Sequence, residues 1–318
     1  MLPFLCRAYD RSLGNLIGRF VRRPAGGFTE PTEVPDSPDA LADVAPLVLT
    51  LEHQKKELWR FETPSPVASH WPDSQVLRGR AIGPENARAA LIVLHGACDN
   101  EYTYSRWMGD AFVRQGFRVL MPAAPCHLDR APPKTFSGAP MFWSTRLVVA
   151  GMAQWLSEVR GLIGYLRGQN VETIGLIGYS IGSLTAGLAA TLWPDVQFAC
   201  LLAPVGHHLA AFDKSKVARA IWPWMQDLPP DEVALLDRWA AINRRPVIQH
   251  PLFLMTLFDD LQPIALQQHW WQTWDRPASH EYRHGHMSIL FSKQLYRDLE
   301  AFAERMSQPK PPGAVAAG

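Results

Sequence analysis

Residues 174–183 of the chain are IGLIGYSIGS. An apolar run bounded by Thr173 ends at Tyr179. Ser180 follows, and Gly178 and Gly182 bracket it at G-x-S-x-G spacing. The run before it suits a buried strand, and IGSLTAGLAATLW after it suits a helix. A sharp turn from strand to helix crowds the positions two before and two after its apex, and glycine relieves that crowding because it has no Cβ. The apex residue is held in a strained conformation with its side chain clear of the sheet. The N-terminus of the next helix then aims free N–H groups at the same place. That combination suits a serine nucleophile whose attack creates an oxyanion. The plainer alternative is a glycine-rich turn with Ser180 as a helix cap. The matching strand and helix favour the nucleophile. Gly175, Gly178 and Gly182 do not make the G-x-G-x-x-G of dinucleotide sites, and no G-x-x-x-x-G-K-[ST] occurs in the chain.

The rhythm around this stretch sets the fold class. ARAALIVLHG, FRVLMPAAP, VETIGLIGYS, VQFACLLAPV and PLFLMTLF are short apolar runs. Helical patterns separate them, among them YSRWMGDAFVRQG and LVVAGMAQWLSEVRGLIGYLRGQ. A short strand and loop at EYRHGHMS precede SKQLYRDLEAFAERM, a last amphipathic helix. Strands alternating with helices predict an α/β fold with a mostly parallel central sheet and helices on both faces.

The chain has 318 residues, enough for one large domain with appendages. Lys and Arg number 31 against 30 acids, so nothing draws it to nucleic acid in general. Cys6, Cys98, Cys126 and Cys200 are scattered without paired spacing. They are expected to be reduced thiols of a cytoplasmic protein rather than a disulfide or zinc framework. No apolar run reaches 18 residues and the start lacks a long h-region, so neither a membrane span nor a secretory signal is expected.

A serine nucleophile needs a base, and the base needs an orienting acid. The chain offers both after Ser180. Asp259 and Asp260 end an apolar strand in LFLMTLFDDLQP, and His286 follows Gly285 in YRHGHMS. The order is Ser, Asp, His. His280, His284 and His286 lie close in sequence, but no carboxylate or cysteine has ligand spacing around them, so no metal is expected.

VLHG, GYSIG, DDLQP and GHMS together resemble the α/β-hydrolase superfamily over about residues 76–306. The resemblance implies Ser180 as nucleophile, His286 of the Gly-His pair as base, and Asp259 as acid, four residues before Pro263; Asp260 is the second choice. It implies an oxyanion hole from the N–H of Ile181 and a second donor at Ala97 or Cys98. HGACDN departs here from the H-G-G-G of some lipases. It implies a structural role for His95. It also implies a helical lid inserted at about 206–246, where Trp222, Trp224, Met225 and Trp239 would wall a pocket or else glue the insertion to the core. The activity implied is hydrolysis of an acyl bond, most simply a carboxylic ester, on a small-molecule acyl substrate and without a cofactor. Thioesterase, peptidase and acyltransferase chemistry would use the same triad, and a binding protein of the same fold would have lost part of it.

Residues 1–75 fall outside the resemblance. Leu13, Leu16, Ile17, Phe20 and Val21 make one apolar helical stripe flanked by Arg7, Arg11, Arg19, Arg22 and Arg23. This stripe is expected to dock on the protein or on a second copy in a homodimer, with peripheral membrane contact through residues 1–23 as the alternative. Residues 24–46 carry five prolines and read as a linker. Residues 47–78 are expected to hold a helix and a strand or two, and 307–318 a disordered tail.

Overall fold

The computed structural model describes residues 2–21, 28–41, 43–55, 58–97 and 99–308. The expected tail from 309 onward, Cys98, Arg22 and Arg23 lie outside the described residues.

The amino-terminal helix α1 is Leu2–Phe20. An antiparallel pair follows, β1 (Thr50–Lys55) and β2 (Leu58–Pro64), and then β3 (Val76–Ile82). The α/β alternation runs β4 (Ala89–Leu94), α2 (Thr103–Val113), β5 (Arg118–Pro122), α3 (Thr145–Gly168), β6 (Thr173–Tyr179), α4 (Ile181–Leu192) and β7 (Phe198–Leu202). A helical insertion of α5 (His208–Lys214), α6 (Lys216–Ile221) and α7 (Pro230–Arg238) leads to β8 (His250–Thr256), α8 (Ile264–Thr273), β9 (Ala278–Tyr282) and α9 (Lys293–Ser307).

The strands form one sheet in the order β1-β2-β3-β5-β4-β6-β7-β8-β9. From β5 to β9 all neighbours are parallel, while β1, β2 and β3 join by antiparallel pairing. The central strands bury both faces, as their unbroken apolar runs require. In β4, Ala90, Ile92 and Leu94 join the core beneath α3 and α4, while Leu91 and Val93 join the core beneath α2 and α9. The alternation is the two-residue period of a strand seen from both sides.

Two expectations are corrected. Residues 47–78 form no α-helix among the described residues; they hold β1, β2, a 3-10 turn at Pro72–Ser74 and the start of β3. β1 is exposed along its whole length and pairs with β2 through the backbone ladder, joined by the His53–Trp59 ring contact, so it shows no apolar period. Helix α1 exists, but its buried face overlaps the apolar stripe only in part, at buried Val21 and half-buried Leu13 and Ile17. Cys6, Asp10, Gly14, Gly18 and Val21 turn inward, whereas Leu16 and Phe20 are 48% and 55% exposed. The inward residues recur every three or four positions, so they share one face, and most of them are small. A Cβ at Gly14 would lie 2.3 Å from Val217 Cγ1, and one at Gly18 would lie 2.8 Å from the Ala220 carbonyl oxygen. Their absence lets α1 sit directly on α6.

Candidate active site

The carboxyl ends of β4, β6, β8 and β9 meet at one edge of the sheet, where parallel α/β folds leave a crevice. The turn from β6 into α4 is as sharp as its glycines suggest. Ser180 has φ 55° and ψ −121°, a conformation rare for a residue with a side chain. A Cβ on Gly178 would meet the Gly182 carbonyl oxygen at 2.1 Å, and one on Gly182 would meet the Leu94 carbonyl oxygen at 2.2 Å. Larger residues at either position would force the elbow open. Ser183 and the backbone N–H of Ser180, bonded to the Leu202 carbonyl at 3.0 Å, brace the turn from the α4 and β7 sides.

β8 ends at Thr256, and the loop beyond it turns back on the Asp259 side chain. Asp259 Oδ1 accepts the N–H groups of Leu261 and Gln262 at 2.9 and 2.7 Å, and its Oδ2 accepts the Thr256 hydroxyl at 2.8 Å. Oδ2 also accepts His286 Nδ1–H at 2.8 Å and the Gln267 amide at 3.4 Å. A carboxylate only accepts, so Nδ1 carries the proton and Nε2 faces Ser180 Oγ, also at 2.8 Å. Burial alone would push the imidazole pKa down. The charge and hydrogen bond of Asp259, joined by the charge of Asp10, overcome this and hold it above the ordinary value.

Ser180, Asp259 and His286, three positions dispersed over 107 residues of sequence, therefore form one continuous hydrogen-bonded chain. Asp260, one residue on, points away: it pairs with Arg7 and Arg11 of α1. Ile181 opens α4, and the first N–H groups of a helix have no intrahelical partner. Ala97 lines the same cleft. His95 is buried in the loop after β4; its Nδ1 donates to the Gly96 carbonyl at 2.8 Å and its Nε2 accepts the Ala124 N–H at 2.9 Å. Burial pushes its pKa down to about 4. It is a neutral brace between two loops.

The cleft at Ser180 has apolar walls, chiefly Ile17, Phe142, Val205, Ile221, Trp222 and Leu261. Of the four residues expected to line it from the insertion, the structure brings Trp222 there. Trp224 donates its indole N–H to the Phe142 carbonyl at 2.7 Å, Trp239 donates to the Pro35 carbonyl at 3.1 Å, and Met225 is buried. These two tryptophans fasten the insertion to the rest of the chain. Among the described residues, no group of three or more His, Cys, Asp or Glu is placed to hold a metal ion. His280 stands apart from His286, 4.0 Å from Asp298.

Several residues at the site gave no signal in the sequence. Gln267 of α8 bonds Thr256 and the Gln262 carbonyl from behind Asp259. Asp99 accepts the Gly96 N–H at 3.2 Å and fixes the loop that carries Ala97; burial raises its pKa to about 7. Tyr179 donates to the His286 carbonyl at 3.0 Å. Asp10 arrives from α1, far outside the α/β alternation. Only Tyr179, next to Ser180, could have been suspected from spacing.

Residues 91–312 match the model of the alpha/beta hydrolase family, and the chain belongs to that family. It is 23% identical over 309 residues to an uncharacterized protein of Mycobacterium tuberculosis, which covers 90% of this chain and 71% of that one. Acetyl xylan esterase 1 from Thermoanaerobacterium sp. is similar in structure with a TM-score of 0.64, at 15% identity over 88% of this chain and 97% of that one. The acylaminoacyl peptidase of Pyrococcus horikoshii is similar with a TM-score of 0.56, at 13% identity over 84% of this chain but 42% of the peptidase. At these identities the likeness is one of fold. No described helix is long and apolar enough to cross a membrane.

Proposed function

We propose that the protein is a serine hydrolase that cleaves a carboxylic ester through an acyl-enzyme. The observation that carries the reading is the unbroken chain from Ser180 Oγ through His286 to Asp259, with both links at 2.8 Å. Ser180 Oγ bonds to the acyl carbon while its proton passes to His286 Nε2. The charge that develops on the imidazole faces the Asp259 carboxylate, and the charge on the carbonyl oxygen faces the N–H groups of Ile181 and Ala97. The ester C–O bond breaks as Nε2 returns the proton to the leaving alcohol. Water then repeats the sequence against the acyl-serine, releasing the acid and restoring Ser180.

The insertion between β7 and β8 acts as a lid through α6 and Trp222. The free space in the cleft is about 50 Å³, which suits a short acyl group, and longer chains require α1 or α6 to shift. An ester preference also draws support from the acetyl xylan esterase neighbour. The buried free thiols Cys6, Cys126 and Cys200 are in keeping with a cytoplasmic enzyme.

Labelling by a fluorophosphonate tests the chemistry: the wild type is labelled and Ser180→Ala is not. Hydrolysis of matched p-nitrophenyl acetate, acetyl thioester and acetyl anilide tests the bond. The ester turns over fastest, and acetate outpaces octanoate. Faster turnover of the anilide would replace the esterase reading with an amidase one.

A further inference from the structure

We propose that α1 is a working part of the active site and that Asp10 is a positioning residue for His286; the proposal rests on the serine hydrolase reading above. Asp10 is 3% exposed although it belongs to an amino-terminal surface helix. Its carboxylate accepts two successive backbone N–H groups of the histidine loop, His286 to Oδ2 at 2.8 Å and Met287 to Oδ1 at 3.2 Å. The Asp260 N–H lies 3.4 Å from the same Oδ2, so one side chain ties the loop of the base to the loop of the acid.

Buried N–H groups need acceptors, and adjacent N–H groups pointing one way make a seat for an anion. Here the anion is supplied by a residue more than 270 positions away. A Cβ at Gly285 would sit 2.5 Å from Asp10 Oδ2, so the loop comes right up to the carboxylate. With Tyr179 donating to the His286 carbonyl at 3.0 Å, the backbone of the base is held on both sides. Asp10 never touches the imidazole ring by hydrogen bond. It sets where the ring stands, and its charge favours the imidazolium.

The rest of α1 fits this use. Its glycine face seats on α6, Arg7 and Arg11 pair with Asp260 beside the acid loop, and Ile17 lines the cleft at Ser180. The titratable groups around the base are Asp259 and Asp10, with Asp260 held by its two arginines and His208 lining the same cleft, kept neutral by burial. Tyr179 is kept neutral by burial. Burial, with Asp259 adding to it, lifts the Asp10 pKa to about 6, so the carboxylate is mostly ionised at pH 7.

Asp10→Asn keeps the shape and removes the charge. Its kcat on p-nitrophenyl acetate should fall on the order of tenfold to a hundredfold, the scale of a displaced catalytic group, with KM little changed. The acid limb of kcat/KM should move to lower pH, because the imidazolium has lost one of its two carboxylates. Amide hydrogen exchange at His286 and Met287 should quicken, a readout that needs no catalysis. Asp10→Glu, which keeps the charge on a longer arm, should hold the acid limb at its wild-type pH while kcat still drops. If Asp10→Asn does not fold, Asp10→Glu decides alone, and full wild-type kcat in it overturns the positional requirement. An Asn variant with an unmoved acid limb and unchanged amide exchange overturns the proposal outright. Changed exchange in a protein that no fluorophosphonate labels would instead overturn the hydrolase reading.

Discussion

Asp259 and Glu158 are both carboxylates with side chains sealed from water, yet they differ in what neutralises them. Glu158, on α3, takes Arg130 in a two-pronged pair at 2.7 and 2.8 Å, and Ser65 and Gln154 fill its remaining directions. Arg130 in turn donates to the carbonyls of Ala123 and Ser74 at 2.6 and 2.7 Å. A guanidinium keeps its proton throughout the working pH range, so nothing at this pair can change hands. Asp259 is fastened by backbone N–H groups on one oxygen and faces an imidazole on the other. An imidazole can gain and lose a proton near neutral pH. Burial with a fixed partner makes a clamp; burial with a titrating partner beside a strained serine makes a site for chemistry.

The comparison predicts that the two regions fail in different ways. Ser180→Ala should give the largest loss, on the order of 10⁶-fold in kcat, because it removes the proposed nucleophile. Its melting temperature should stay near that of the wild type. An Ala variant retaining more than a few per cent of the activity would show that the chemistry lies elsewhere. Asp259→Asn should cost about 10⁴-fold in kcat, since an amide in place of the carboxylate removes the charge and no longer fixes the proton on Nδ1. Thermal melting again checks that the fold is intact.

At the other carboxylate the loss should appear in stability. Arg130→Met leaves Glu158 buried without its counter-charge and should destabilise the protein by about 3–5 kcal/mol in urea unfolding. The kcat of the folded fraction should not change. Adding Glu158→Leu removes the stranded charge and should recover most of the loss. If the single variant unfolds no more easily than the wild type, or if its kcat falls as far as that of Asp259→Asn, the division between clamp and active site fails.

The two regions also differ in how much the sequence revealed. The elbow was legible because its constraints are local: Gly178 and Gly182 are each two residues from Ser180, and a strand and a helix flank them. Asp259 and His286 were singled out through the resemblance, by the proline four residues on and by the Gly-His pair, and the structure lines both side chains up with Ser180. Arg130 and Glu158 gave no signal, since a buried ion pair between a loop and a helix has no periodicity. Helix α1 misled for a related reason. Its apolar stripe suggested which face was buried, but the face that packs is Cys6, Asp10, Gly14 and Gly18, where small size permits close approach and one acid finds its donors. Hydrophobic patterning ranks residues by their affinity for water and is blind to fit. The same blindness left open whether the insertion's tryptophans wall a pocket or glue it to the core; Trp224 and Trp239 serve as hydrogen-bonded fasteners.

The smallest expected effect sharpens the contrast most closely, because it concerns a neighbour. Asp260 adjoins Asp259 in sequence and carries the same group, but its side chain is partly exposed and meets Arg7 and Arg11, which are themselves half or more exposed. Its backbone does separate work: the N–H points to Asp10 and the carbonyl accepts the Ser215 hydroxyl. Asp260→Asn leaves those bonds in place and removes only the ion pairs, which at an exposed site are worth about 0–1 kcal/mol. The expected result is a stability loss of that size that shrinks as salt is added, since salt screens exposed pairs. The rate on p-nitrophenyl acetate should stay within about threefold of the wild type, a change of about 0.7 kcal/mol in the barrier. A loss comparable to that of Asp259→Asn would transfer the acid role to Asp260, and with it the distinction between the carboxylate that faces the imidazole and the one that faces the solvent.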